Sequence, residues 1–322
     1  MRAVVFERYG APEVLFAREV DKPAPKEGEV LVRIKATSVT KYDCWVRSAT
    51  APPGFGLLMR LASGTKPGRT ILGTELAGEV ESVGDNVVEF RVGDPVYGYL
   101  GMSLGAYAEY ICLPVDAGAI RPSTLTFEEA AGVLQGALTA LFFLRKAELR
   151  PGRKVLVFGA SGGVGSYAVQ LAKSYFGAEV TGVCSTGKVE YVKALGADRV
   201  IDFARKDFSQ DGQTYDVLFD TVGKTSVTRS RMSLKHDGWY LLATFGLPTL
   251  LQALWLSRTT RQHFAWGALE EEHDDLVLLK GLLEEGAIRP TVDRCFPLDE
   301  AVEAHKYVES GRKKGCVILT VT

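Results

Sequence analysis

Three glycines spaced at every third position, Gly159, Gly162 and Gly165, are the residues of this 322-residue chain whose type and spacing specify chemistry most directly. A glycine turn that opens a helix offers free backbone N–H groups and the positive end of the helix dipole, a combination that holds phosphate. The elements such a turn needs stand on either side of it. Val155, Leu156, Val157 and Phe158 form a continuous apolar run, the pattern of a strand buried on both faces. Ala168, Val169, Leu171 and Ala172 follow as the apolar face of a helix. Strand, glycine turn and helix read as a dinucleotide-binding unit, against the plainer reading of a merely tight turn. The backbone of Gly159, Ser161, Gly162, Gly163, Val164 and Gly165 is then expected to carry the pyrophosphate.

The end of the next strand decides which nucleotide. NAD sites place an acid about 20 residues beyond the glycines to bind the ribose 2′-hydroxyl. Here the strand ends in Cys184-Ser185-Thr186-Gly187-Lys188, with no carboxylate. Hydroxyls and a cation accept a 2′-phosphate, so Ser185 and Lys188 point to NADPH.

Around this unit, strands and helices alternate from Lys154 to Thr244, as in a doubly wound parallel sheet. The first 114 residues instead read as short strands between glycine turns, a small barrel or sandwich. Between those strands Ser48–Arg69 is Gly- and Pro-rich yet apolar, and reads either as a loop over the core or as the wall of a substrate pocket. Ala130 to Leu144 reads as a buried helix, too short to span a bilayer. Pro248 to Trp266 is apolar at helical spacing and suits a core or dimer-interface helix rather than a membrane anchor. The tail from Val292 returns to strand and is expected to pack on the first domain.

A formal net charge of −1 with no basic stripe gives no footprint for nucleic acid. No signal peptide is visible, and five scattered cysteines with no C-x-x-C pair suit reduced thiols in the cytoplasm. The four histidines, His236, His263, His273 and His305, lie far from the motifs and read as surface residues.

Further motifs appear in order along the chain: Ala36-Thr-Ser-Val-Thr-Lys-Tyr-Asp43, Ile71-Leu-Gly-Thr-Glu-Leu-Ala-Gly78, Phe90-Arg-Val-Gly-Asp-Pro-Val-Tyr-Gly98, Gln170-Leu-Ala-Lys173 and Leu195-Gly-Ala-Asp198. With the glycine turn, they make the chain resemble the medium-chain dehydrogenase/reductase superfamily, in its zinc-free quinone oxidoreductase-like branch. The resemblance implies a GroES-like β-barrel catalytic domain, residues 1–120 with 267–322, and a Rossmann NADP-binding domain, residues 121–266, with the active site in the cleft between them. Where zinc-dependent relatives carry ligands, this chain has Thr40, Thr74-Glu75 and Gln135, so no metal is expected. The resemblance also places Thr139, Val222, Thr244, Phe245 and Gly246 toward the nicotinamide. Phe203 stands where relatives often have Tyr, with Arg205 nearby. Thr40, Lys41 and Tyr42 are the implied catalytic groups, stabilising the enolate-like charge that follows hydride addition to a conjugated carbonyl. The implied activity is NADPH-dependent reduction of apolar quinones or α,β-unsaturated carbonyls by a homodimer. The rival readings are an NADP-dependent alcohol or carbonyl oxidoreductase, and a non-catalytic NADPH-binding protein.

Overall fold

The computed structural model describes residues 1–50, 54–55, 64, 66–267 and 273–322. Most of the apolar part of Ser48–Arg69, including Leu57, Leu58, Met59 and Leu61, lies outside the described residues. The chain divides into two compact units, Met1–Thr50 with Leu58–Gln135 and Glu271–Thr322, and Ala51–Leu57 with Gly136–Glu270. Residues 121–135 are thus grouped with the first unit.

In the first unit β1 (Arg2–Val5) and β2 (Phe16–Glu19) form a hairpin. The main sheet contains β3 (Glu29–Val39), β4 (Glu75–Val83), β5 (Pro95–Tyr99), β6 (Tyr110–Pro114), β7 (Gly118–Ile120), β14 (Val292–Pro297) and β15 (Cys316–Thr320). Its order is β14-β15-β3-β4-β5-β7, with β6 also paired to β3, and every pairing but β14–β15 is antiparallel. The C-terminal strands therefore complete the N-terminal sheet. Val32, Ile34, Leu76, Val96, Leu113, Val317 and Leu319 meet in one core, and burying each such side chain contributes roughly 1.5–3 kcal/mol against chain entropy. Helix α1 (Lys41–Ser48) leaves the end of β3, capped by Thr40 and closed at Ala49 in the left-handed region.

His305 corrects the surface reading. It is fully buried in this core, with Nε2 3.2 Å from the Tyr107 hydroxyl and Nδ1 3.5 Å from Cys44 Sγ. The helix Ala301–Glu309 turns it inward, and burial pushes its pKa down to about 3, which keeps it neutral.

The second unit is a six-stranded parallel sheet: β8 (Lys154–Phe158), β9 (Glu179–Cys184), β10 (Arg199–Asp202), β11 (Tyr215–Asp220), β12 (Leu234–Leu242) and β13 (His263–Trp266). Its order, β10-β9-β8-β11-β12-β13, reverses direction between β8 and β11, where doubly wound sheets bind ligands. Helix α2 (Leu134–Lys146) spans the division between the units, and α3 (Gly163–Gln170) follows the glycine turn. The stretch Phe127–Lys146 is long and apolar enough to cross a membrane by length and composition, yet 67% of its most apolar window is buried within the fold.

The apolar run from Pro248 is helical only to Thr259; its last four residues are the edge strand β13. Thr260 is already extended and ends the helix, and the Thr259 and Thr260 hydroxyls donate to its last-turn carbonyls, Trp255 and Leu256. Gln262 Nε2 donates to the Arg231 and Lys235 carbonyls and aligns the chain beside β12. Helix Leu247–Thr259 buries Ala253 and Leu256 but leaves Leu251 58% and Trp255 65% exposed on its outer side.

Candidate active site

In the parallel-sheet unit the site is built from places where side chains are missing. Gly159 has φ +82°, and a Cβ there would stand 2.2 Å from Val222 Cγ2. A Cβ on Gly165 would stand 2.1 Å from the Gly159 carbonyl oxygen, so only glycine lets α3 start this close to β8. Gly162 caps α3 with no side-chain bond to its first turn, leaving those N–H groups for a ligand. Gly136 in α2 also approaches closely, its absent Cβ 2.8 Å from the Gly163 oxygen, and sets the helix that carries Thr139 beside the turn. A cofactor pyrophosphate fits this cradle.

Two loops that the sequence placed near the nicotinamide come together here. A Cβ on Gly223 would lie 2.5 Å from the Thr244 oxygen, and the Phe245 ring meets Phe55 edge-on at 6.2 Å. The sequence placed Asp220 at the head of the first of these loops but gave it no role. Its buried carboxylate accepts from the backbone N–H groups of Val222 (2.9 Å), Gly223 (2.8 Å) and Thr225 (3.2 Å), and from the Thr225 hydroxyl (2.5 Å). Thr225 Oγ1 in turn lies 2.5 Å from the Tyr240 hydroxyl. This network folds the loop back so that Val222 roofs Gly159. An acid just before Thr-Val-Gly was the available signal, since short loops of this kind need an internal acceptor.

At the end of β9, Ser185 opens a short turn over Thr186–Lys188. Phe203, 54% exposed, has its ring 6.4 Å from that of Phe158. The carboxylate beside this strand end belongs to Asp202, register partner of Cys184. It is already engaged by the Thr186 hydroxyl, the Ala204 N–H and Arg205, which hold its pKa below the usual range.

In the barrel unit the site is built from buried side chains. Thr40 is the N-cap of α1. Its hydroxyl accepts the Asp43 N–H (3.2 Å) and donates to Asp43 Oδ2 (2.5 Å), while Oδ2 also accepts the Thr40 N–H (2.8 Å). Asp43 Oδ1 accepts the Gly73 N–H at 2.9 Å, joining α1 to the strand entry thirty residues on. Lys41 is exposed and Tyr42 partly buried, with its phenol pKa raised by burial. Glu75, also buried, accepts the Ser38 hydroxyl (2.5 Å) and the Gln135 N–H (2.8 Å) at the start of α2. Burial pushes Asp43 up to about 6 and Glu75 up to about 7, against the pull of these donors.

Thr40, Thr74 and Gln135 are neutral, and the carboxylates flanking them, Asp43 and Glu75, have both oxygens bonded to protein donors. No three His, Cys, Asp or Glu side chains come together as a metal site among the described residues. This donor set does not fit a zinc ion.

The family model for the alcohol dehydrogenase GroES-like domain matches residues 26–122, and that for zinc-binding dehydrogenase residues 195–319. The chain is 34% identical to a quinone oxidoreductase of Pseudomonas aeruginosa, over 99% of each chain. It is 32% identical to a 2-methylene-furan-3-one reductase of Solanum lycopersicum, over 99% of this chain and 79% of that one. The solved quinone oxidoreductase of Escherichia coli complexed with NADPH superposes with a TM-score of 0.85 at 28% identity, covering all of both chains.

Proposed function

Since the chain belongs to the medium-chain dehydrogenase/reductase superfamily, in its quinone oxidoreductase-like branch, we propose that this oxidoreductase uses NADPH, without zinc, to reduce apolar quinones or α,β-unsaturated carbonyls. The observation that carries the reading is the uncapped start of α3 beneath the glycine turn, together with a β9 end whose neighbouring carboxylate is already spent. In this reading Gly159 to Gly165 hold the pyrophosphate, and Ser185 and Lys188 the 2′-phosphate. Thr139, Val222 and Thr244 to Gly246 are assigned to the nicotinamide, with Asp220 fixing the Val222 loop. Phe203 offers an exposed ring near the adenosine end.

Bound there, NADPH supplies a hydride; the chain supplies position and polar donors. Lys41 and Tyr42 are assigned to the charge that develops on the substrate oxygen. Burial keeps the Tyr42 phenol protonated at neutral pH and so able to give a proton. Five free thiols support a cytoplasmic setting, and β13, which ends its sheet, is the assigned contact of a homodimer.

The test is NADPH oxidation by chelator-treated protein with a medium-chain enone, a small quinone, or no acceptor. Turnover that survives chelation is expected. Turnover lost on chelation and restored by zinc overturns the zinc-free reading, and NADPH binding without consumption of either acceptor overturns the reductase reading. Light scattering that gives a monomer removes the dimer.

A further inference from the structure

We propose that Asp43 is a positioning residue of the barrel unit's polar turn: its carboxylate accepts the hydroxyl hydrogen bond of Thr40 and ties the turn to Gly73, which leaves Lys41 and Tyr42 as the side chains of that turn with protons to offer. The proposal rests on the reductase reading above.

Three donors converge on this one carboxylate: the Thr40 N–H (2.8 Å), the Thr40 hydroxyl (2.5 Å) and the Gly73 N–H (2.9 Å). Two of them are backbone N–H groups, which can only donate. The Thr40 hydroxyl has a single proton, already directed at Asp43, and its oxygen accepts the Asp43 N–H at 3.2 Å. Thr40 can therefore accept from a substrate but has no proton to give it. A neutral carboxyl or an amide at position 43 adds a donor where donors already meet, and at least one of the three bonds is lost.

Glu75 supplies the contrast. Its partners are two backbone donors at the start of α2, the Gln135 N–H (2.8 Å, on Oε2) and the Leu134 N–H, and one hydroxyl, Ser38 (2.5 Å, on Oε1), that can turn from donor to acceptor. With its proton on Oε1, or as Gln with its amide there, the side chain donates to Ser38 and keeps Oε2 for the Gln135 N–H. Asp43 has an obligate donor on each oxygen, and so is the carboxyl of this pair that needs its charge.

The groups around Asp43 are Tyr42 and Cys44 on its own helix, Glu75 on β4, and Tyr107 with His305 behind it. Arg47, paired with Glu309, and Lys41 lie beside Cys44. Burial keeps Tyr42, Tyr107 and Cys44 protonated and His305 neutral, so Glu75 is the one other member of this set that titrates near neutrality.

The experiment measures kcat, KM and NADPH affinity for the native chain, Asp43→Asn, Glu75→Gln and Thr40→Ala, from about pH 5 to about pH 8. Native kcat is expected to fall as pH drops through about 6, where Asp43 takes a proton. Asp43→Asn should lower kcat roughly 10- to 100-fold without that acid limb and with NADPH affinity unchanged. Glu75→Gln should keep the limb whatever its effect on kcat, and Thr40→Ala should lower kcat by far less than about 100-fold. A native-like profile in Asp43→Asn overturns the proposal. So does loss of the limb in Glu75→Gln, or a fall of about 100-fold or more in Thr40→Ala, which would make its hydroxyl a donor to substrate.

Amide exchange at Thr40 and Gly73 reads the same lock without activity: slow in the native chain and Glu75→Gln, fast in Asp43→Asn. If the native chain reduces no acceptor, the reductase reading fails while exchange still decides the lock. If Asp43→Asn does not fold, the native pH limb and the other two variants decide it.

Discussion

The two units build their candidate sites from opposite materials. In the parallel-sheet unit the atoms that matter belong to the backbone, and the contribution of Gly159 and Gly165 is the absence of a side chain. In the barrel unit they are side-chain oxygens, Thr40, Asp43, Ser38 and Glu75, held in a buried network. A backbone site breaks when atoms are added, most of all where the neighbour is main chain, as at Gly165, and cannot move aside. A side-chain site breaks when a donor and an acceptor are mismatched, and it tolerates exchanges that keep the bonds.

The largest expected effect tests the backbone half. Gly165→Val places side-chain atoms against the Gly159 carbonyl, whose oxygen a Cβ alone would meet at 2.1 Å. NADPH affinity is expected to fall on the order of 100-fold or more, read by isothermal titration, and undiminished binding would break the comparison. Next comes Lys188→Ala, which removes one charge from the assigned phosphate site. NADPH affinity should weaken roughly 10- to 100-fold while NADH affinity holds, so equal losses for the two cofactors would remove the 2′-phosphate assignment.

The smallest effect sharpens the side-chain half. A carboxyl whose folded pKa lies above its unfolded value adds stability below the unfolded value and loses it as pH rises through the folded one. For Glu75 the loss runs from 4.5 to about 7, and for Asp43 from 3.8 to about 6. Glu75→Gln cannot ionise, so it should match the native chain in acid and melt a few degrees higher at about pH 8. Parallel melting curves at both pH values would mean that the buried carboxyl carries no such penalty.

The same contrast explains what could be read from the sequence. The glycine turn, the apolar strand before it and the strands Glu179–Cys184 and Arg199–Asp202 were legible because their signals are local. The reach of Asp43 to Gly73, of Glu75 to Gln135, and the inward turn of His305 were not, since each depends on a partner thirty or more residues away. The strand at the end of the Pro248–Trp266 run was hidden for a related reason: both it and the helix before it are rich in apolar residues, and the turn between them is held by Gln262 on the distant Arg231 and Lys235 carbonyls. Asp220 sat in plain view but announces its role only once the loop closes on it.

Among the four tryptophans, Trp255 alone has an exposed ring, while Trp45, Trp239 and Trp266 are partly covered. Its indole will therefore emit to the red of the others and be quenched first by iodide. Whatever comes to lie on the outer side of that helix, a second copy of the chain or any other apolar surface, will announce itself as a blue shift with no label attached.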